Sequence, residues 1–101
     1  MELNQKEMEL IKDYFSTQPV LRAFLFGSFS RKEATASSDV DILVDLDYTQ
    51  HIGFGFVAIK EGLENKLHRN VDLVSSKAVS KYILPFIEKE KQLIYERKNG
   101  G

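Results

Sequence analysis

With 101 residues, no cysteine and a formal charge of −1, the chain has room for one modest core and no means of forming a disulfide or a thiolate metal site. Its 14 basic and 15 acidic residues nearly balance, which excludes the broad basic field of a nucleic-acid or membrane-surface binder. No uncharged apolar stretch is long enough to span a bilayer, and Glu2, Lys6, Glu7 and Glu9 break up any leader-like start, so a soluble cytoplasmic protein is expected. One domain over residues 1–97 and a frayed tail at 98–101 complete that expectation.

Leu3, Leu10, Ile11, Tyr14 and Phe15 recur at helical spacing with charges between them, predicting a helix over 3–18 that Pro19 stops. The run from Val20 to Phe26 is short and apolar apart from Arg22, the pattern of a buried strand ending at Gly27. Ser28 is a good N-cap, and residues 29–36 can hold a two-turn helix before Ser37 and Ser38 break it. From Val40 to Leu46 a second strand places Val40, Ile42, Val44 and Leu46 on one face and Asp39, Asp41, Leu43 and Asp45 on the other.

After a loop over 47–50, a helix over 51–67 carries Ile52, Phe56, Ile59, Leu63 and Leu67 as its apolar stripe, although three glycines weaken it. A third strand is predicted over 71–74. A helical segment over 78–90 follows, with Val79, Tyr82, Ile83, Phe86 and Ile87 on one side; Pro85 either kinks it or starts a second piece. Residues 92–95 read as a last edge strand. The alternation of helices and strands is also that of parallel β-α-β units. The connection between Gly27 and Asp39 holds too little helix for a crossover, so the first two strands are expected to pair antiparallel. The fold class is α+β, a small mixed, partly antiparallel sheet packed with helices.

That pairing makes Gly27 and Ser28 neighbours of Asp39 and Asp41. Residues i and i+2 of a strand project the same way, roughly 6.5–7 Å apart. Two close carboxylates repel, and a hard divalent cation such as Mg²⁺, completed by substrate phosphates and water, relieves that repulsion. At the turn, free N–H groups near Ser28 favour an anion, Gly27 lets a phosphate approach the backbone, and the Ser28 hydroxyl can donate to it. Adjacent anion and cation sites suit a metal-bound nucleoside triphosphate.

Gly27-Ser28, Arg31 and then Ser38-Asp39-Val40-Asp41-Ile42-Leu43-Val44 resemble the G-S-x-x-R and S-D-x-D signature of the polymerase-β-like nucleotidyltransferases. At this size the chain is most similar to the minimal nucleotidyltransferase (MNT) group, over roughly residues 20–96, including the ending Leu93-Ile94-Tyr95-Glu96. Lys32 departs from the pattern, which often has glycine there. The resemblance implies a third carboxylate on a later strand, where Asp72 falls, and a catalytic and metal-ligating set of Asp39, Asp41 and Asp72. It implies nucleotide contacts from Gly27, Ser28, Arg31 and Ser38, ATP as substrate, and two Mg²⁺ ions, or Mn²⁺ in their place. Asp39 and Asp41 would bridge both ions, and Asp72 would hold the one nearest the acceptor. The implied activity is transfer of AMP to a hydroxyl, foremost a tyrosine, of a helical HEPN toxin. The chain would then be the antitoxin of a type VII-like pair, in a hetero-oligomer with the toxin, with no membrane and no direct nucleic-acid binding.

Two other readings stay open: a stoichiometric toxin binder with little catalysis, and a small-molecule nucleotidyltransferase, which would need an acceptor domain for which the chain has no room. Asp45 and Asp47 rival Asp72 as third ligand, but Asp45 lies ~13 Å along the strand from Asp41. Arg31 suits either a phosphate or the neighbourhood of Glu33. His51 and His68 read as surface or capping residues. Lys77, Lys81, Lys89 and Lys91 read as a solvated face, with Lys77 and Lys81 within possible reach of a nucleotide, and Phe54 lies off its helix's apolar stripe.

Overall fold

Asn4 sets the first helix. In the computed structural model, which describes residues 1–98, the Asn4 side chain accepts the Glu7 N–H at 2.7 Å, and the Glu7 carboxylate accepts the Asn4 N–H at 3.1 Å. This reciprocal capping box starts α1 (Gln5–Phe15) two residues inside the predicted range. β1 (Val20–Phe26) has the predicted bounds. α2 (Gly27–Ser30) is one turn, not the two-turn helix expected over 29–36, because Lys32 swings to a left-handed φ of 63°. A side chain there carries a strain of roughly 1–2 kcal/mol that glycine escapes. The departure noted at Lys32 therefore falls where the backbone leaves the helix.

β2 (Val40–Leu46) again has the predicted bounds. α3 (Gly55–Leu67) begins four residues later than predicted, behind Gly53 at φ 46°. It ends at His68, which takes the left-handed cap position at φ 55°. β3 (Val71–Ser75) follows. The segment expected to be helical from residue 78 instead runs through turns to α4 (Leu84–Glu90). Pro85 lies in the first turn of α4, where its missing N–H is no loss, so it starts a helix rather than kinking one. β4 (Gln92–Glu96) closes the described chain; of the tail expected at 98–101, residues 99–101 lie outside the described residues.

The sheet order is β3-β2-β1-β4, with β1 antiparallel to both β2 and β4 and β2 parallel to β3 through α3. Ile11 and Phe15 of α1 and Ile59, Leu63 and Leu67 of α3 cluster with Val40, Ile42 and Val44 of β2. Each such side chain contributes about 1.5–3 kcal/mol by leaving water. Leu43 and Ile87 are buried outside that cluster. The apolar side expected over 78–90 does not form. Tyr82, Ile83 and Phe86 are exposed and Val79 half-buried, because without a continuous helix only Ile87 of that side is buried. Among the described residues, no helix is long and apolar enough to cross a membrane.

Candidate active site

The ends of three neighbouring strands meet at one edge of the sheet. Phe26, last in β1, is opposite Asp41 in the antiparallel register, and Asp41 is opposite Asp72 in the parallel one. The chain therefore lays Gly27, Asp41 and Asp72 in a row across the strands, with Asp39 exposed two residues before Asp41. Gly27 is buried at φ 73°, and a Cβ built there would lie 2.0 Å from Asp41 Oδ2. Only glycine lets that carboxylate lie against the turn. Burial, and then the charges of Asp72 and Asp39, push Asp41 up to about 6, with Arg31 pulling the other way.

Ser28 is half-buried in the second position of α2. It is not the N-cap predicted for it: the helix starts two residues early, and Phe26 takes the cap position without a side-chain bond. The Gly27 N–H instead donates to Glu90 Oε1 at 2.9 Å. Arg31 pairs with Glu33 at 2.8 Å and with Glu90 at 2.9 Å, the neighbourhood of Glu33 expected as one of its two settings. The Ser38 hydroxyl accepts the Thr35 N–H at 2.9 Å and shapes the turn into β2.

The sequence profile described as "Polymerase beta, Nucleotidyltransferase" matches residues 9–100. The chain belongs to the polymerase-beta nucleotidyltransferase family. A Methanocaldococcus jannaschii protein named "Putative protein adenylyltransferase MJ1379" is 33% identical over 97 residues, 93% of this chain and 91% of that one. The protein adenylyltransferase MntA of Thermococcus cleftensis is 38% identical over 66 residues, 65% of this chain and 66% of its own. Among solved structures, a "putative minimal nucleotidyltransferase" superposes with a TM-score of 0.75 at 25% identity, covering 87% of this chain and 89% of that one. The fold also matches, at 23% identity and a TM-score of 0.72, a toxin–antitoxin structure with AMP-PNP, covering 95% of this chain and 76% of that one. It matches the structure of a tri-AMPylated Shewanella oneidensis HEPN toxin in complex with MNT antitoxin at 20% identity and a TM-score of 0.70, covering 93% and 73%.

In this nucleotidyltransferase the rival carboxylates are engaged elsewhere. Asp45 pairs with Arg22 at 3.0 Å, and Asp47 with Arg97 at 2.7 Å. His51 and His68 are exposed, as is Phe54. Lys77 and Lys81 lie over the Tyr48 and Tyr82 rings. Glu90 was not singled out from the sequence, where it sits in the alternating run Glu88-Lys89-Glu90-Lys91 with nothing to mark it as a contact of Gly27.

Among the described residues, no three His, Asp or Glu side chains converge into a ready-made metal site. Asp39, Asp41 and Asp72 share an edge of the sheet without closing on one point. Their donor chemistry nonetheless fits Mg²⁺ or Mn²⁺: the oxygens are hard, and the charge crowding at Asp41 is what a divalent cation removes.

Proposed function

We propose that this nucleotidyltransferase transfers AMP from ATP to a hydroxyl, foremost a tyrosine, of a helical HEPN toxin and so acts as its antitoxin. The observation that carries this reading is the row of Gly27, Asp41 and Asp72, in which a carboxylate lies against a turn that only glycine can form. The names of the relatives as protein adenylyltransferases support the reaction, and the likeness to toxin–antitoxin structures supports the partner. Residues 1–97 form one domain in this reading, working in the cytoplasm beside ATP, in a hetero-oligomer with the toxin.

Ser28, through its hydroxyl and backbone N–H, binds phosphate oxygens, and Gly27 lets them approach. Asp39, Asp41 and Asp72 would hold Mg²⁺ or Mn²⁺, which supplies charge neutralisation for an in-line displacement. Asp72, exposed on β3, takes the proton of the acceptor hydroxyl. The acceptor oxygen attacks the α-phosphorus as the bond to pyrophosphate breaks. The acceptor comes from a second protein, in keeping with the naming of the relatives as protein adenylyltransferases.

Intact-mass spectrometry of the toxin after incubation with ATP, Mg²⁺ and substoichiometric amounts of this protein tests the reading. The expected result is one or more added AMP groups. Asp72→Asn should abolish the gain while leaving ATP affinity nearly intact. Growth rescue at equimolar ratio by the Asp39→Asn, Asp41→Asn variant, with no mass change, would replace catalysis with stoichiometric binding.

A further inference from the structure

Glu90, the last residue of α4, is joined to the turn that carries Ser28 by contacts spanning some sixty positions of sequence. Its carboxylate accepts the Gly27 N–H at 2.9 Å and pairs with Arg31 Nη1 at 2.9 and 3.1 Å. Its backbone carbonyl accepts the buried Ser30 hydroxyl at 2.5 Å. Gln92, at the start of β4, reaches the Ser30 carbonyl at 3.5 Å. Burial works to raise Glu90, but Arg31 and the Gly27 N–H outweigh it and hold the carboxylate below its ordinary range. The α4–β4 junction thus clamps residues 27–31.

We propose that Glu90 is a positioning residue for ATP: by holding the Gly27 N–H and the Arg31 guanidinium, it fixes the turn so that Ser28 faces the incoming phosphates. This rests on the reading of the Gly27–Ser28 turn as the phosphate site. The geometry divides the work of the signature residues. Gly27's N–H and Arg31 are already committed to Glu90, so phosphate contact falls to Ser28 and the N–H groups after it. Arg31 neutralises Glu90 instead of the substrate. Gly27 lies between Glu90 at its N–H and Asp41 against its Cα, so a turn released by Glu90 would also lose its seat against Asp41.

The direct alternative, in which Arg31 is itself a phosphate ligand, makes the opposite prediction. Removing Glu90 would leave Arg31 held by Glu33 alone, release its Nη1 to the phosphates and tighten ATP binding. The test measures ATP affinity by calorimetry with Mg²⁺ and amide exchange at residues 26–32, for wild type, Glu90→Ala and Glu90→Gln. Loss of the acceptor for the Gly27 N–H should weaken ATP about tenfold or more in Glu90→Ala. Glu90→Gln, whose amide oxygen still accepts the Gly27 N–H, should recover most of the affinity. Gly27 amide protection should be lost in Glu90→Ala and kept in Glu90→Gln. Unchanged or tighter ATP binding in Glu90→Ala overturns the proposal while the transferase reading stands. Glu90→Gln as weak as Glu90→Ala also overturns it. Absence of ATP binding by the wild type overturns the transferase reading and the positioning role together. Where Glu90→Ala fails to fold by circular dichroism, Glu90→Asp, which shortens the reach to Gly27, must weaken ATP in the same way.

Discussion

Strand β2 carries aspartates at both ends, and the two ends treat them in opposite ways. At its exit, Asp45 meets Arg22 at 3.0 Å on the neighbouring strand. Asp47 just beyond accepts from the Thr49 hydroxyl and from Arg97, and these bonds hold it far below the usual carboxylate range. At its entrance, Asp41 is half-buried beside Asp72 and Asp39, and its carboxyl is pushed up to about 6. The nearby cation, Arg31, is shared with Glu33 and Glu90. One strand therefore holds carboxylates that anchor the fold and a carboxylate that strains it. Strain of the second kind, gathered at a strand end beside an obligatory glycine, is the arrangement expected of a site kept for chemistry.

The largest break in this contrast comes from Asp41→Asn. Transfer should fall on the order of a hundredfold or more, because the amide supplies neither the charge nor the donor set. Stability should rise at neutral pH. The sign follows from linkage: folded Asp41 titrates at about 6 and the unfolded chain near 3.8, so in between the folded state holds a proton that the unfolded state has shed. The contribution of Asp41 to stability falls as pH rises through that window and stays unfavourable above it. The melting temperature of the variant minus that of the wild type should grow from about pH 4 to about pH 6 and then level off. A difference that is flat with pH would remove Asp41 from the strained end.

Gly27→Ala sharpens the same contrast with less effect on chemistry and more on the backbone. The new Cβ meets Asp41 Oδ2 at 2.0 Å, and φ stays at 73°, so the carboxylate must move and the turn is strained by about 1–2 kcal/mol. A loss of that size in urea unfolding is expected, with transfer reduced roughly tenfold or more as Asp41 leaves its seat. Gly55 at the start of α3, where a Cβ would meet nothing within 4 Å, is the control. There alanine should be neutral or stabilising by up to about 1 kcal/mol.

What could be read from the sequence follows how many residues decide each feature. β1 is set by an apolar run broken only by Arg22 and β2 by apolar residues alternating with aspartates, and their bounds match those of the structure. Their antiparallel pairing follows from a connection too short for a crossover, and alternation along β2 already placed Asp39 and Asp41 together. The helix ends escaped because single backbone angles decide them. Lys32 and Gly53 in left-handed conformations cut α2 short and delay α3. Pro85 was legible as either a kink or the start of a second piece, and the structure takes the second. Tyr82, Ile83 and Phe86 have the spacing of a buried stripe, yet the turns before α4 leave them exposed. Glu90 was illegible for a different reason: its partner lies 63 positions away, and local charge alternation makes it look like a solvated helix residue.

The smallest effect should come from the other end of β2. Asp45 lies on the same face as Asp41 and has the same side chain, but its pair with Arg22 is half exposed on the arginine side. Such pairs contribute about 0.2–1 kcal/mol, so Asp45→Asn should shift the urea midpoint only slightly. Transfer should stay within about twofold of wild type, since the residue stands roughly 13 Å along the strand from Asp41. The measurement reaches beyond stability, because Asp45 is the one rival carboxylate on the strand of Asp41. If Asp45→Asn abolished transfer while Asp72→Asn did not, the third carboxylate would belong to β2, and the division between an anchoring end and a reacting end would fail.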